Sequence, residues 1–315
     1  MSETLYIVVP CYNEEEVLPE TSSRLKSKLL KLIDSNLVNA DSKILFVDDG
    51  SSDRTWEIVE DLHAADKLFS GLKLARNRGH QNALLAGLMT AMTLSDVTIS
   101  IDADLQDDIE CFDEFLQKYH DGCDIVYGVR ADRKSDSVFK RQSAQRYYRL
   151  MAALGVNVVY NHADYRLMSK RALEGLASFR EVNLFLRGIV PLIGYKTDTV
   201  EYARGKRFAG ESKYPLKKML GFAWDGISSF SIRPIRFVVV LGFLVFTISL
   251  CLMVYSVVRN IIGQTVPGWS TLMISIWLIG GLQLLAMGII GEYIGKIYSE
   301  IKDRPKYIVE KLLNK

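Results

Sequence analysis

Asp102 and Asp104 are separated by one residue and follow the apolar run 97–101, and Gln106 lies two positions further on. If the run ends as a β-strand, side chains two residues apart point the same way. Two carboxylates and an amide oxygen suit Mg²⁺ or Mn²⁺, which retain open positions for phosphate oxygens. A divalent ion bridging a diphosphate would neutralise charge on a departing nucleoside diphosphate. The spacing therefore predicts a metal site at Asp102, Asp104 and Gln106.

Polar residues also follow three other apolar runs. Tyr12, Asn13 and Glu14 follow the first, and Asp48 and Asp49 follow the second. These two aspartates have the chemistry to accept hydrogen bonds from a nucleobase or a ribose, although carboxylates beside Gly50 also suit an ordinary tight turn. The third run is followed by the segment 76–80, in which Arg76, Arg78 and a glycine precede a helix start, a place that favours anions.

The elements that position these residues alternate along the chain. Short apolar runs predict strands at 5–9, 43–47, 72–75, 97–101 and 124–127. Helical patterns separate them at 15–33, 53–65, 81–92 and 109–120. This order predicts an α/β fold with a mostly parallel sheet flanked by helices, in which ligands bind beyond the carboxyl ends of the strands. GxGxxG and GxxxxGK[ST] motifs are absent, which disfavours nicotinamide-binding and P-loop proteins.

Two long uncharged segments near the C-terminus predict a transmembrane hairpin. Residues 237–258 and 271–291 are each long enough to cross a hydrocarbon core of about 30 Å. Eight lysines and arginines flank the pair and only Arg259 lies between them, which predicts cytosolic flanks. A buried hairpin in a soluble domain is the alternative. Residues 215–232 mix apolar and basic side chains and suit either an interfacial segment or a connecting helix.

A basic loop precedes this hairpin. Arg204, Lys206, Arg207 and Lys213 lie close together in a glycine-bearing stretch, which suits a lipid phosphate at the membrane surface or a general attraction to anionic lipids. A phosphate monoester has a second pKa near 6, so it is largely dianionic at neutral pH. Such an acceptor needs little help from a general base.

Composition excludes several classes of protein. A formal net charge of +2 over 315 residues argues against nucleic-acid binding. The four cysteines are far apart and predict buried thiols rather than disulfides or a metal site. The acidic N-terminus has only a short apolar run, so we expect no export signal and a cytosolic N-terminal part.

Several joined motifs resemble those of family 2 glycosyltransferases with a GT-A-type fold, more narrowly the polyprenyl-phosphate glycosyltransferases. The motifs are VVPCYNEEEVL from Val8, VDDGSSDRT from Val47, ARNRGHQNALLAGL from Ala75, DADLQD from Asp102, GVR from Gly128, ADYRLMS from Ala163, NLFLRG from Asn183, RFAGESKYPLKKM from Arg207 and GEYIGKIYSEIKDRP from Gly291. The likeness covers almost the whole chain.

The resemblance implies roles for matching residues. The nucleotide-sugar site would comprise Pro10, Tyr12, Glu14, Asp48, Asp49, Arg76 and Asp102. Asp104 would act in catalysis through the metal, which Gln106 and Asp102 would also hold. Asp164 would be a base or positioning residue near the acceptor, and we expect its replacement by Asn to cost less activity than loss of Asp104. The acceptor phosphate would contact Arg130, Arg204, Arg207 and Lys213.

The sequence thus predicts a membrane enzyme that moves a hexose, with inversion, from a nucleotide diphosphate sugar to undecaprenyl phosphate. UDP-glucose or UDP-N-acetylglucosamine is the expected donor, Mg²⁺ or Mn²⁺ the cofactor, and cell-envelope glycosylation the destination. We expect a homo-oligomer in the bacterial cytoplasmic membrane, with a catalytic domain at 1–214, an interfacial segment at 215–234, two spans at 235–292 and a cytosolic tail at 293–315. A polysaccharide synthase, and a non-catalytic nucleotide-sugar-binding subunit, are the alternatives.

Overall fold

A computed structural model of the chain describes residues 2–130, 162–181, 185–203, 205, 233–262 and 268–314. The described strands form one eight-stranded sheet. They are β1 (Leu5–Cys11), β2 (Lys43–Asp48), β3 (Phe69–Leu74), β4 (Val97–Ser100), β5 (Ile125–Arg130), β6 (His162–Ser169), β7 (Thr197–Tyr202) and β8 (Val309–Leu313).

The sheet is mixed, with spatial order β7-β5-β6-β4-β1-β2-β3-β8. β1 to β4 pair in parallel, as do β5 and β7. β6 is antiparallel to both β4 and β5, and β8 is antiparallel to β3. Six strands therefore run in one direction and their carboxyl ends share one edge, which is where ligands bind in open α/β sheets.

The five strands predicted from sequence are present, within a mostly parallel sheet. In the structure β6 lies between β4 and β5 and runs antiparallel to both. Prediction of strands from apolar runs misses β6, because its sequence HADYRLMS alternates polar and apolar residues and carries two charges inside the fold. It also misses the mostly exposed β7 and the short β8.

Helices cover both faces of the sheet. Those described are α1 (Leu18–Asp34), α2 (Thr55–Ala65), α3 (His80–Met92), α4 (Phe112–His120), α5 (Lys170–Ala177), α6 (Leu186–Ile189), α7 (Arg233–Ile261) and α8 (Trp269–Ile301). Short 3₁₀ turns at Ile109–Cys111 and Val190–Ile193 adjoin α4 and α6.

The core is divided by the sheet into two apolar layers. On α1, Leu25, Leu29 and Leu32 recur at helical spacing and pack with α2 and α4 against one face. The other layer comprises α3, α5 and α6. Successive β1 residues such as Ile7 and Val8 belong to opposite layers, as the two-residue period of a strand requires.

The predicted hairpin corresponds to α7 and α8. Apolar stretches at Ile235–Leu252 and Leu278–Ile301 are long and apolar enough to cross a membrane, and none of their described side chains is buried within the protein. Many large apolar side chains on both helices are exposed, as expected for lipid contact. α8 continues through Glu292 to Ile301, beyond the uncharged stretch.

The chain after α8 returns to the sheet. The Ala75 N–H donates to the carbonyl of Ile308 at 2.9 Å, and β8 then pairs with β3. Asn314 Oδ1 accepts from Tyr6 Oη at 3.2 Å, Lys43 Nζ at 3.2 Å and Ser70 Oγ at 3.0 Å. Residues expected to form only a tail therefore close one edge of the sheet.

Candidate functional site

The metal-binding residues predicted from sequence lie in the loop that follows β4. Asp102, Asp104 and Gln106 are all partly exposed there. Leu105 has a left-handed backbone, with φ 55°. This turn lets the Gln106 N–H donate to Asp104 Oδ1 at 3.1 Å. A non-glycine residue in this conformation is uncommon and occurs preferentially at functional sites.

Contacts from three other parts of the chain fix this loop. Thr21 Oγ1 on α1 donates to the carbonyl of Ala103 at 2.7 Å. Tyr165 Oη on β6 donates to the carbonyl of Asp108 at 2.7 Å. After β7, the Gly205 N–H donates to the carbonyl of Gln106 at 2.8 Å. The ligand-bearing loop is thus held by the surrounding fold, which favours a preorganised site.

The strand register explains why Asp164 lies close to this loop. Ser100 of β4 pairs with Arg166 of β6, so continuing the antiparallel register by two residues places Asp102 opposite Asp164. His80, the first residue of α3, bridges the two carboxylates: its Nε2 lies 3.6 Å from Asp102 Oδ1 and 3.5 Å from Asp164 Oδ2. Two like charges on neighbouring strands are tolerated because a basic group lies between them.

The Asp164 carboxylate is enclosed by donors. Arg166 Nη2 donates to Oδ1 at 2.6 Å, and Gln81 Nε2 donates to Oδ2 at 3.1 Å. Arg187 adds Nε to Oδ1 at 3.4 Å and Nη2 to Oδ2 at 3.1 Å. Asp164 is 4% exposed and Arg166 is fully buried. The carboxylate oxygens are therefore committed to protein partners.

These contacts set the protonation of the cluster. Burial opposes ionisation of Asp164, but Arg187, His80 and Arg166 outweigh it and hold its pKa well below the ordinary value. Burial also opposes protonation of His80, but its hydrogen bond to Asp164 and the charge of Asp102 raise its pKa to about 9. A carboxylate with so low a pKa is a weak base, so Asp164 suits an orienting role.

A second polar cluster lies behind the metal loop. Burial is the main cause that raises the pKa of Asp107 to about 6. Tyr202 Oη donates a short hydrogen bond to Asp107 and accepts one from Arg130 Nε at 3.3 Å. Arg130 Nη2 lies 3.6 Å from Asp107 Oδ1. The arrangement joins the predicted acceptor residue Arg130 to the loop that carries Gln106.

The loop after β2 is attached to the loop after β3. Asp49 accepts the N–H groups of Arg78 at 2.7 Å and Gly79 at 2.8 Å. Gly50 has φ 67°, and a Cβ there would lie 2.7 Å from the backbone of Arg76, so only glycine fits. These contacts correspond to the turn interpretation of Asp49. Its predicted role in nucleotide binding stays a prediction.

The other predicted nucleotide-binding residues surround this edge of the sheet. Tyr12 and Arg76 are exposed, and Glu14 is partly exposed. Pro10 is buried in β1. Asp48 is also buried, and accepts the Ser51 N–H at 3.3 Å. Their contacts with a nucleotide stay predictions, and Arg204, Arg207 and Lys213 lie outside the described residues.

Protein groups supply only some of the ligands that a divalent ion would need at this site. Among the described residues, no three His, Cys, Asp or Glu side chains are grouped so that they could hold a metal. Asp102, Asp104 and Gln106 supply carboxylate and amide oxygens, the ligands that hard cations prefer. Mg²⁺ is commonly bound through one or two carboxylates plus substrate phosphates. The residues therefore fit an ion that binds together with a diphosphate.

Sequence reasoning missed four members of the Asp164 cluster. His80 alone suggests a structural residue, and Gln81, Arg166 and Arg187 carry no recognisable spacing relative to Asp164. Arg166 and Arg187 lie within the ADYRLMS and NLFLRG motifs, so these motifs were the available signal. Their convergence depends on the inserted antiparallel strand β6 and on the contact between the starts of α6 and α3, where the Leu186 N–H donates to Gln81.

Comparison with known families decides the assignment. A profile of Glycosyl transferase family 2 matches residues 6–176, and a profile of the GtrB C-terminal hairpin matches residues 233–297. The chain belongs to glycosyl transferase family 2. It is a glycosyltransferase with a GT-A-like mixed sheet flanked by helices and a C-terminal apolar hairpin, as the sequence predicted.

Curated relatives match along nearly their whole length. The chain is 57% identical to the uncharacterized glycosyltransferase YkoT of Bacillus subtilis (strain 168), over 97% of this chain and 91% of that protein. It is 38% identical to the SfII prophage-derived bactoprenol glucosyl transferase of Shigella flexneri, over 97% of each chain.

Solved structures resemble the chain more distantly. Glucosyl-3-phosphoglycerate synthase from Mycobacterium tuberculosis, in complex with Mn²⁺, UDP and phosphoglyceric acid, is 18% identical with a TM-score of 0.44, over 72% of this chain and 76% of that one. Mannosyltransferase PcManGT from Pyrobaculum calidifontis, in complex with GDP-Man and Mn²⁺, is 13% identical with a TM-score of 0.45, over 97% of this chain and 89% of that one. The family assignment rests on the sequence matches.

Proposed function

We propose that this glycosyltransferase moves a hexose from a nucleotide diphosphate sugar to undecaprenyl phosphate. An acceptor phosphate oxygen forms a bond to the anomeric carbon while the bond from that carbon to the diphosphate oxygen breaks. The nucleoside diphosphate leaves from the opposite face, so the anomeric configuration inverts. UDP-glucose is the preferred candidate donor because a relative is named for glucosyl transfer to bactoprenol.

The main support for a phosphate acceptor is that the Asp164 carboxylate oxygens already accept hydrogen bonds from protein groups. A sugar hydroxyl acceptor requires a base to take its proton, whereas a phosphate monoester is already largely dianionic at neutral pH. Asp164 accepts from Arg166, Gln81 and Arg187, so its oxygens are not available to remove a proton. This favours a phosphate acceptor over the hydroxyl acceptor of a polysaccharide synthase.

The metal loop supports the donor side of the reaction. Asp104, Gln106 and Asp102 would hold Mg²⁺ or Mn²⁺ against the diphosphate. When bound, such an ion supplies a Lewis acid that stabilises the charge on the departing diphosphate. Retention of all three residues disfavours a non-catalytic nucleotide-sugar-binding subunit.

Membrane attachment supports the lipid acceptor. β7 precedes the apolar helix pair and β8 follows it, and both belong to the same sheet. If the pair crosses a membrane, its two ends would therefore lie on the same side. The excess of lysine and arginine at these ends supports a cytosolic position for the catalytic sheet in a bacterial cell. Four further points remain proposals. They are the interfacial segment 215–234, the contacts of the basic loop with the acceptor phosphate, the homo-oligomer and the use of the product in cell-envelope glycosylation.

The direct test is transfer of label to lipid. The full chain in detergent is incubated with undecaprenyl phosphate, Mg²⁺ or Mn²⁺ and each of the common radiolabelled nucleotide sugars. We expect label in the organic phase, lability of the product to mild acid, and an inverted anomeric configuration by NMR. An Asp104→Asn variant serves as the control with strongly lowered activity. Absence of lipid label with every donor would refute the proposed function.

A further inference from the structure

Gln81 makes two long-range hydrogen bonds that its position in α3 does not require. Its Nε2 donates to Asp164 Oδ2 at 3.1 Å, and its Oε1 accepts the Leu186 N–H at 3.1 Å. A backbone N–H can only donate and an ionised carboxylate can only accept, so the orientation of the Gln81 amide is fixed by its partners. Both the nitrogen and the oxygen of the Gln81 amide are therefore hydrogen-bonded.

These bonds close a ring that joins three elements. Gln81 lies on α3, Asp164 on β6, and Leu186 begins α6. The next residue, Arg187, contacts the same carboxylate through Nε and Nη2. The first N–H groups of a helix have no partner within it, so the Gln81 side chain satisfies one that α6 itself cannot. Asp164 and the backbone that carries Arg187 are consequently fixed by one side chain.

The neighbouring amide shows that this arrangement is not ordinary helix capping. Asn82 Nδ2 donates to the carbonyl of Arg78, four residues earlier in the chain. Gln81 instead reaches residues 83 and 105 positions away. A local interaction at the start of α3 is thus available, and Gln81 does not use it.

We propose that Gln81 is a positioning residue for sugar transfer, acting through Asp164 and Arg187. It sets the distance between α6 and β6, and thereby the place at which the Asp164–Arg187 pair meets His80 and Asp102. The role rests on the proposed function, since the activity it supports is transfer to a phosphate acceptor. Small displacements of an orienting group are costly, with losses on the order of 10²-fold for about 1 Å.

Two substitutions separate the two hydrogen bonds. Gln81→Leu has a similar size and makes neither bond. Gln81→Glu retains an oxygen that accepts from Leu186 but cannot donate to Asp164 while ionised. Gln117→Leu, on the exposed face of α4, is the matched control. Each variant is studied as the full chain in detergent, by steady-state transfer kinetics and by hydrogen exchange at the Leu186 amide.

We expect kcat to fall on the order of 10²-fold in both Gln81 variants, with the KM for the nucleotide sugar changed less than threefold. The Leu186 amide should exchange faster in Gln81→Leu but remain slow in Gln81→Glu. Gln117→Leu should behave as the unaltered chain. The combination of lost kcat and retained protection in Gln81→Glu distinguishes positioning from a general loosening of α6.

Three results would overturn the role of Gln81. They are unchanged kcat in either Gln81 variant, unchanged exchange at Leu186 in Gln81→Leu, and a rise in KM with kcat unaltered. Failure of the proposed function is recognised separately, because the unaltered chain would then transfer no sugar to polyprenyl phosphate. The exchange measurement reports on the Leu186 hydrogen bond in either case.

Discussion

Asp164 and Arg187 meet in a two-point contact, Nε to Oδ1 at 3.4 Å and Nη2 to Oδ2 at 3.1 Å. The side chain of Asp164 is 4% exposed, whereas that of Arg187 is 40% exposed. One partner is thus buried in the sheet and the other reaches the surface. On its buried side the same carboxylate accepts from the fully buried Arg166. Asp164 therefore supports the fold as well as the site.

Asp164→Asn should destabilise the protein, an effect on folding that is separate from the smaller loss of activity, relative to loss of Asp104, expected from sequence. The amide removes the negative charge opposite Arg166, whose Nε and Nη1 have no hydrogen-bond partner in the described part of the chain. Breaking a buried ion pair by removing one partner costs about 3–5 kcal/mol. Denaturant unfolding of the full chain in detergent, followed by tryptophan fluorescence, measures this loss.

Asp104→Asn is the control for that measurement. Asp104 is partly exposed, and an asparagine there still accepts the Gln106 N–H. We expect its stability to change by less than about 0.5 kcal/mol, as for a surface substitution. Equal stability of the two variants would contradict the structural role of Asp164.

Arg187→Lys tests the geometry of the pair rather than its charge. Lysine keeps the positive charge but cannot donate two parallel hydrogen bonds to one carboxylate. We expect kcat to fall about 10-fold, equivalent to about 1.4 kcal/mol of transition-state stabilisation. Steady-state kinetics at saturating donor and acceptor measures the loss. Full activity in the lysine variant would show that charge alone suffices.

Asp104→Asn also tests the metal loop. In the proposed metal site, loss of the Asp104 carboxylate should lower kcat on the order of 10²-fold, since metal-ion catalysis is worth several kcal/mol. In the unaltered chain, a chelator should abolish transfer, and added Mg²⁺ or Mn²⁺ should restore it. Calorimetry with a nucleoside diphosphate should show binding that depends on the metal in the unaltered chain and is weakened in the variant. Metal-independent binding would argue against the site.

The sequence predicted the parts of the site that lie on parallel strands. The residues after β1 to β4 could be placed because parallel strands deliver their carboxyl ends to one edge. Asp164 and Arg166 lie on β6, which runs the opposite way, and no short-range pattern specifies where an antiparallel strand is inserted. β8 was not predicted either, because its pairing partner β3 lies more than 200 residues away in the sequence and no local pattern reports such a pairing.

Asp107 predicts a pH-dependent difference in stability. Folding raises its pKa to about 6, mainly through burial, so ionised Asp107 opposes folding. Protonated Asp107 therefore contributes to the free energy of unfolding. This contribution is complete below about pH 4 and is lost as pH rises through about 6. Asp107→Asn cannot ionise and still accepts from Tyr202. Relative to the unaltered chain, the variant should gain about 2–3 kcal/mol between pH 4 and 7.

This difference is measured by denaturant unfolding with a chelator present, so that no bound ion alters the titration. Asp108→Asn is the matched control, because Asp108 is exposed. The difference between the two variants isolates the contribution of the buried Asp107 carboxyl group. A difference between them that does not vary with pH would show that Asp107 is not held in a costly ionised state.

Asn314 predicts how strongly the C-terminal strand supports the sheet. Its Oδ1 accepts from one residue on each of β1, β2 and β3, namely Tyr6, Lys43 and Ser70. Asn314→Ala leaves donors on two buried residues and one partly buried residue without this acceptor, which should cost about 1–3 kcal/mol. Glu310→Ala is the control, because Glu310 is half exposed and, among the described residues, forms one ion pair, at 3.4 Å with Lys73, worth less than about 1 kcal/mol.

Deletion of residues 309–315 should destabilise the sheet more than Asn314→Ala, because it exposes the β3 edge and such edges promote aggregation. Size-exclusion chromatography of the truncated chain tests this, and a monodisperse, stable product would show that β8 is dispensable.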